Sequence, residues 1–260
     1  MNLSVRQALL SVYDKTNLDA FAATLRSYGA RLVSTGGTAA YLKEHGFDVT
    51  TVSELTGAEE LFGGRVKTLH PNIFAAILAR PDHPEDLEQL KQMGLGPIDL
   101  VVVNLYPFAK TIEQPNVTLA AAIEQIDVGG IALIRAAAKN HEGVGVVVDP
   151  QDYVRVERDL HENQGRLTKE LRRRLAIRAF QTSAQYDATI ANYFGSLERK
   201  ELQPADEMAA ASVFPRHLVI AAERIATLRY GENPHQLAAV YRRPAVLETS
   251  IVTARQLHGK

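Results

Sequence analysis

The feature that most constrains this chain is a series of short, uninterrupted apolar runs separated by segments with helical spacing. Residues 8–12, 31–34, 48–52, 98–103 and 143–148 each read as a strand, and 98–103 carries the strongest signal. A strand with one wet face alternates apolar and polar residues. Continuous Val and Leu runs are apolar on both faces, so they belong in a sheet covered on both sides, which is the signature of parallel pairing. The intervening segments supply the covering helices. Leu18, Phe21 and Leu25 keep helical spacing between the capping chemistry of 14–17 and Gly29. A second helix is expected to leave the turn Thr35-Gly36-Gly37-Thr38, pass through Tyr41 and Leu42, and stop at Gly46. Further helices are expected over 84–93, 118–126 and 131–138, the last two flanking Asp127-Val128-Gly129-Gly130. The expected fold is therefore α/β and three-layered, with a mostly parallel sheet.

The pattern changes after Asp149. Residues 168–197 have helical composition with few breakers, enough for a rod of ~45 Å. A polar, alanine-rich stretch containing Pro204 follows and reads as a linker. Residues 215–260 hold two strand-like runs, and ~45 residues is too short for a core of its own. The division expected is one domain over 1–196, a linker over 197–214, and the start of a second domain over 215–260.

Composition removes several classes of function. Lys plus Arg number 29 against 30 Asp plus Glu, a net charge of -1, which argues against a broad nucleic-acid or membrane-surface footprint. The chain has no cysteine, which excludes disulfides, thiolate metal sites and cysteine nucleophiles. No apolar run approaches the ~18 residues of a membrane span, and residues 1–10 lack the apolar core of a secretion signal. A reducing cytoplasm is the expected setting.

Four clusters could carry chemistry. Thr35-Gly36-Gly37-Thr38 lies where a strand end meets a helix start, a position whose free N–H groups and dipole suit an anion. The same residues also make an ordinary glycine turn with a threonine cap. Ser11 and Lys15 end the preceding strand, and in a parallel sheet the carboxyl ends of neighbouring strands share a rim where both could reach one phosphate. Gly63-Gly64-Arg65-Val66-Lys67-Thr68-Leu69-His70-Pro71 places two cations, a hydroxyl and a histidine in a glycine-opened loop. If that loop is extended, Arg65 and Lys67 point to one side. Arginine can clamp an anion bidentately, and a partly desolvated lysine can serve as an acid or base. A solvated basic loop is the plain alternative, and His70 suits a structural role better than that of a base.

Asn104 and Tyr106 close the strongest strand on the same rim, with amide and phenol groups able to meet a planar heterocycle or to cap the strand end. Asp127 precedes the alanine-rich helix that carries Arg135, Lys139 and Asn140. Cap and C-terminal cation are the plain roles of Asp127 and Lys139. Twelve residues of straight helix would hold Asp127 and Lys139 ~18 Å apart, less the backward lean of the lysine. They can share a site only if it is nucleotide-sized, the helix is irregular, or two subunits contribute.

Together these motifs closely resemble the family of bifunctional purine-biosynthesis proteins that joins IMP cyclohydrolase to AICAR formyltransferase. The match runs in family order through 11–16, 34–38, 64–71, 104–108, 125–130, 135–141 and 229–236, essentially the whole chain. The resemblance implies a methylglyoxal-synthase-like domain over 1–196 that closes the purine ring of 5-formamido-imidazole-4-carboxamide ribotide (FAICAR) to IMP with release of water. It implies phosphate binding by Ser11, Lys15, Ser34, Gly36, Gly37 and Thr38. It also implies that Arg65, Lys67, Thr68, Asn104, Tyr106 and Asp127 line the rest of the nucleotide site, with Lys139 as proton donor and acceptor. Tyr13 departs from relatives that have a small hydroxyl residue there.

Arg229 and Tyr230 match residues that bind the AICAR nucleotide in the formyltransferase half. That half uses 10-formyltetrahydrofolate as cosubstrate, and its catalytic Lys–His pair lies beyond Lys260, so the expectation is ring closure without formyl transfer. The cyclohydrolase itself needs neither metal nor cofactor. The resemblance also implies a cytosolic homodimer, a pairing that the long helix over 168–197 favours. Two other readings share the glycine turn: a methylglyoxal synthase, and a non-catalytic nucleotide-binding regulatory module. The first lacks this combination of Gly-Arg-Val-Lys-Thr-Leu-His-Pro with Asn-Leu-Tyr-Pro, and the second does not need the Lys, Tyr and Asp set.

Overall fold

The computed structural model describes residues 2–201, 219–228, 235–243, 250–255 and 257–258. The chain begins β1 (Leu3–Ser4), β2 (Gln7–Val12), α1 (Leu18–Ser27), β3 (Arg31–Ser34), α2 (Gly36–Glu44), β4 (Val49–Thr51) and α3 (Val52–Thr56). It continues through α4 (Pro71–Leu78), α5 (Pro84–Gln92), β5 (Leu100–Asn104), α6 (Phe108–Ile112), α7 (Leu119–Glu124), α8 (Val128–Lys139) and β6 (Gly145–Val147). It then adds α9 (Tyr153–Glu162), β7 (Arg166–Leu167), α10 (Lys169–Glu201), β8 (Glu223–Leu228) and β9 (Ala238–Arg242). These segments form two compact units: residues 1–106 with 127–183, and residues 107–126 with 184–260.

The first unit is built on a five-stranded sheet of order β4-β3-β2-β5-β6, every neighbouring pair parallel. All five expected strands are in it. Right-handed crossovers place α1 and α2 on one face as the chain steps outward from β2 through β3 to β4. Stepping the other way from β5 to β6 puts α8 on the opposite face by the same rule. The winding therefore reverses between β2 and β5, and in open α/β sheets the crevice for a ligand lies beyond the carboxyl ends of the strands at such a reversal. Successive residues point to opposite faces of a strand, yet Ala8, Leu9 and Leu10 of β2 and Leu100 and Val101 of β5 are all wholly buried, so both faces of the sheet are covered.

The helices form for local reasons that agree with this plan. Thr51 and Glu54 make a reciprocal capping box at the start of α3. His70 caps α4, its Nδ1 accepting from the Asn72 N–H at 3.2 Å, with Pro71 at the first helical position. On the α1 face the Phe21 ring stacks on Tyr153 of α9 at 4.2 Å and 3°, a pairing that anchors α9 against the first helix. Helix α9 is not among the expected helices, although buried Tyr153, Val156 and Leu160 have its spacing.

Helix α8 begins three residues before the expected 131, so its first turn contains Gly129 and Gly130. Close packing explains the glycines. A Cβ on Gly130 would collide with the Asp127 carboxylate and lie 2.9 Å from Leu105 Cδ2, and one on Gly129 would sit 3.1 Å from Thr68 Oγ1. Helix α10 contains 33 residues, close to the expected range. Its beginning is anchored by Arg172, which is 1% exposed. The guanidinium donates to the carbonyls of His141 (3.0 Å), Leu167 (2.6 Å) and Glu142 (3.2 Å), and burial holds its pKa below the usual arginine value.

In the second unit, the Phe108 ring meets Tyr186 and Tyr193 edge-on at 6.2 and 5.7 Å. Tyr186 donates to the Gln125 carbonyl at 2.8 Å. Strands β8 and β9 pair antiparallel, the arrangement of the two strand-like runs noted after residue 215.

Replacing Arg172 with Leu leaves three carbonyls without their donor, and the expected cost is about 3 kcal/mol or more in urea unfolding. Arg172→Lys is expected to recover only part of it, because an ammonium cannot span three carbonyls as the fork of a guanidinium does.

Candidate active site

The parallel register sets the rim. Leu10 lies beside Ser34, Ser34 beside Thr51, and Val12 beside Asn104, so the loops leaving β2, β3 and β5 emerge side by side. The loop between α3 and α4 and the start of α8 complete the surroundings. Every site residue expected in the range 11–139 belongs to the first unit.

Around the glycine turn, the hydroxyls divide into structural and available groups. Ser34 Oγ donates to the Leu10 carbonyl at 2.7 Å and is fully buried. Thr38 Oγ1 both accepts from the Val12 N–H and donates to the Val12 carbonyl, each at 3.0 Å, locking α2 to the end of β2. Thr35, at the N-cap of α2, makes no cap bond with its side chain. Instead its hydroxyl pairs with Ser11 Oγ at 3.2 Å. Thr38 and Ala39 donate backbone N–H groups to the Thr35 carbonyl, whereas no described residue accepts from the N–H of Gly36 or Gly37. Two backbone donors are thus presented at the positive end of a nine-residue helix. Gly37 has open space where a Cβ would be. In the loop leaving β2, Lys15 Nζ donates to the Tyr13 carbonyl at 3.4 Å.

The loop carrying Arg65 and Lys67 is not the extended stretch on which a shared side depends. Leu61 and Val66 form an antiparallel bridge around a tight turn, Gly63 has φ 64°, and Arg65 adopts helical angles. The condition for Arg65 and Lys67 to share a side is therefore not met. Arg65 is exposed, while Lys67 folds inward and meets Glu60 at 3.4 Å. Its amine also closes on Gly36, whose Cβ position is 2.9 Å away. Lys67, Glu60, Ser34, Thr35 and Gly36 line a cavity of about 340 Å³. Glu60 is absent from the residues expected at the site, and the acidic Glu59-Glu60 pair ahead of the glycines is the sequence signal that points to it.

Asn104 clamps the rim. Its Oδ1 accepts from the N–H groups of Tyr13 (2.7 Å) and Asp14 (2.8 Å), and its Nδ2 donates to the Asp14 carbonyl (2.9 Å). One N–H of the amide is left for a ligand by this count. The Tyr13 ring meets Tyr106 edge-on at 5.8 Å and 83°, which positions the second tyrosine. Tyr106 remains 41% exposed. Its backbone N–H donates to Asp127, whose Oδ1 also accepts from the Gly130 N–H at 2.6 Å as the N-cap of α8. Burial pushes the Asp127 carboxyl above the ordinary range, against the opposing effect of these two N–H donors. Thr68, 5% exposed, sits against the same helix start beside Gly129.

Lys139 stands apart. It is exposed at the last position of α8, which runs unbroken from Val128, so ~18 Å of helix separates it from Asp127. An irregular helix does not bring the two together. Arg229 and Tyr230 lie outside the described residues. Among the described residues, no group of His, Cys, Asp and Glu could hold a metal ion, and no helix is long and apolar enough to cross a membrane.

Comparison with known proteins agrees with the fold and the motifs. Residues 17–132 match the model of the MGS-like domain, and residues 137–260 match that of the AICARFT/IMPCHase bienzyme. The bifunctional purine biosynthesis protein PurH of Bacillus cereus (strain Q1) is 46% identical over 255 residues, covering 98% of this chain and 47% of that protein. PurH of Bacillus anthracis (strain A0248) matches to the same extent. The chain thus spans about half the length of these relatives. The crystal structure of ForH superposes with a TM-score of 0.66 at 39% identity, over 73% of this chain and 97% of ForH. With two family models dividing its length and relatives aligned over nearly all of it, the chain belongs to the PurH family of bifunctional purine-biosynthesis enzymes.

Proposed function

We propose that residues 1–196 form an IMP cyclohydrolase, with its site in the first unit, closing FAICAR to IMP with loss of water. What supports this reading is one rim of strand ends that carries an anion turn with unclaimed N–H groups beside the Lys67 amine, and the Tyr106 backbone beside a half-buried Asp127. A methylglyoxal synthase or a regulatory nucleotide module would account for the turn alone.

The chemistry suits these groups. The carboxamide nitrogen adds to the formyl carbon of the same molecule, forming the C–N bond as that nitrogen gives up a proton and the formyl oxygen gains one. The carbinolamine then loses its oxygen as water while a ring nitrogen releases the second proton. Since both reacting atoms are already tethered, orientation supplies much of the acceleration and proton transfer the rest. The Gly36 and Gly37 N–H groups, with Ser11 and Lys15, take the phosphate. Ser34 and Thr38, already bonded to the backbone of β2, hold that turn in place. Asn104, Arg65 and Thr68 line the heterocycle and ribose. Lys67 and Tyr106 work at the closing ring, and Asp127 orients the formyl group.

Lys139 completes the proton relay, either across a nucleotide-sized site or from the partner subunit of a homodimer. No metal or cofactor enters these steps, and 10-formyltetrahydrofolate belongs to the transformylase reaction of the family, to which Arg229 and Tyr230 are assigned. The substrate is a purine nucleotide, with neither nucleic acid nor membrane as partner, and the setting is the cytosol. In domain terms the reading keeps a cyclohydrolase over 1–196 and transformylase residues from 215; of the expected linker over 197–214, residues 197–201 are instead the end of α10, and the rest lies outside the described residues.

Incubating the purified chain with formyl-AICAR and following IMP absorbance tests the activity directly, and no IMP would refute it. Lys67→Ala and Lys139→Ala are each expected to lower turnover by about 10²–10⁴-fold with the fold intact by circular dichroism. Near-normal rates in both would remove the lysines from the mechanism. Asp127 separates structure from chemistry. Asp127→Ala loses the cap and is expected to cost about 1 kcal/mol, while Asp127→Asn keeps an acceptor for the Gly130 N–H and still loses activity.

The pH dependence follows from the raised carboxyl. An acid whose folded pKa exceeds its unfolded pKa favours folding most when protonated, and that contribution fades as pH climbs from the unfolded value through the folded one. The difference in stability between wild type and Asp127→Asn is therefore expected to move in favour of the variant across that window, read from urea midpoints at successive pH values.

A further inference from the structure

Glu60 belongs to none of the roles above, yet it occupies the mouth of the anion turn. The Leu61–Val66 bridge, with Leu61 N–H donating to Val66 O at 3.0 Å and the reverse bond at 3.3 Å, makes residues 60 and 67 the next pair outward on the same hairpin. Glu60 is held opposite Lys67 by the backbone, and the side chains close to 3.4 Å. Two glycines make room for them. Gly36 has φ 44° and Gly64 φ 92°, and Cβ atoms there would lie 2.9 and 2.8 Å from Lys67 Nζ. The Glu60 carboxylate comes within 3.9 Å of the Cβ position of Gly36, against the helix end whose Gly36 and Gly37 N–H groups no described residue accepts from.

We propose that Glu60 is a built-in competitor for the phosphate of the ligand, a carboxylate that occupies Lys67 and the α2 turn while the site is empty and is displaced when a phosphate arrives. The inference rests on reading this rim as a phosphate site. Its energetics are those of a pair that can exchange. The two side chains are 29% and 37% exposed, and a pair that wet is favoured over its open form by a factor of about five or less. A phosphate with close to two charges gains more from the turn and its helix dipole than one carboxylate does, and its arrival frees the amine for the closing ring. The pair keeps the amine folded over the turn instead of extended into solvent, and exchange delivers it to the bound nucleotide. Glu60 acts here as a positioning residue, through Lys67.

The test uses inorganic phosphate as the probe, titrated at low salt into wild type, Glu60→Gln, Glu60→Ala and Glu60→Asp, with affinity read by calorimetry. Removing the competing charge is expected to tighten binding about two- to five-fold in Glu60→Gln and Glu60→Ala, the range that an exposed ion pair can contribute. Glu60→Asp keeps the charge and is expected to stay near wild type. Unchanged or weaker phosphate binding in Glu60→Gln and Glu60→Ala would overturn the proposal, since a carboxylate that merely braces the loop would give that result. Phosphate affinity is independent of ring closure, so failure to form IMP would refute the cyclohydrolase reading while leaving this result standing.

Discussion

The parallel pairing of β2 with β5 is the contact on which the rest depends. It joins two strands whose connections wind in opposite senses, so their carboxyl ends diverge into loops with a crevice between them. Asn104 then fixes the shape of that crevice with three hydrogen bonds to the Tyr13-Asp14 backbone. One side chain at the last residue of β5 thereby sets the loop leaving β2, and the Tyr13 ring carried by that loop sets Tyr106. The loops are irregular but not slack: Asn104 pins the loop leaving β2, Asp127 takes the Tyr106 N–H after β5, and the Leu61–Val66 bridge closes the loop before α4.

A second consequence is a division of labour among the polar residues of the rim. Ser34, Thr38 and Asn104 direct hydroxyl or amide groups to backbone partners, which leaves the backbone N–H groups of Gly36 and Gly37 to face outward. Preorganised backbone dipoles bind an anion without reordering at the moment of binding, and such rigidity is what the proposed ring closure requires. Lys67 and Glu60, the long and partly exposed side chains, are the adjustable elements laid over that fixed frame.

Much of this is legible in the residue order alone. The five apolar runs can only pair within a covered sheet, and shared strand ends bring Ser11, Gly36 and Asn104 to one rim. Motif order is enough to identify the family. Other features are illegible because they depend on neighbours remote in sequence. Gly129 and Gly130 read as a break before a helix, but they begin α8 because Thr68, Leu105 and the Asp127 carboxylate leave no room for a Cβ. Arg65 and Lys67 have the spacing of one face of an extended strand, whereas Gly63 at positive φ and the Leu61–Val66 bridge turn the chain around them. Nothing in the spacing of Thr38 reveals that its hydroxyl will be engaged by Val12, since that contact exists only once β2 and β3 are paired.

The most direct test of a nucleotide seated at this rim is an amide chemical-shift map of the chain titrated with IMP. The largest changes are expected at the N–H groups of Gly36 and Gly37, followed by Tyr106 and the residues around Asn104. Changes confined to another face, such as the arginine-lined groove between α9 and α10, with Gly36 and Gly37 unmoved, would contradict the account.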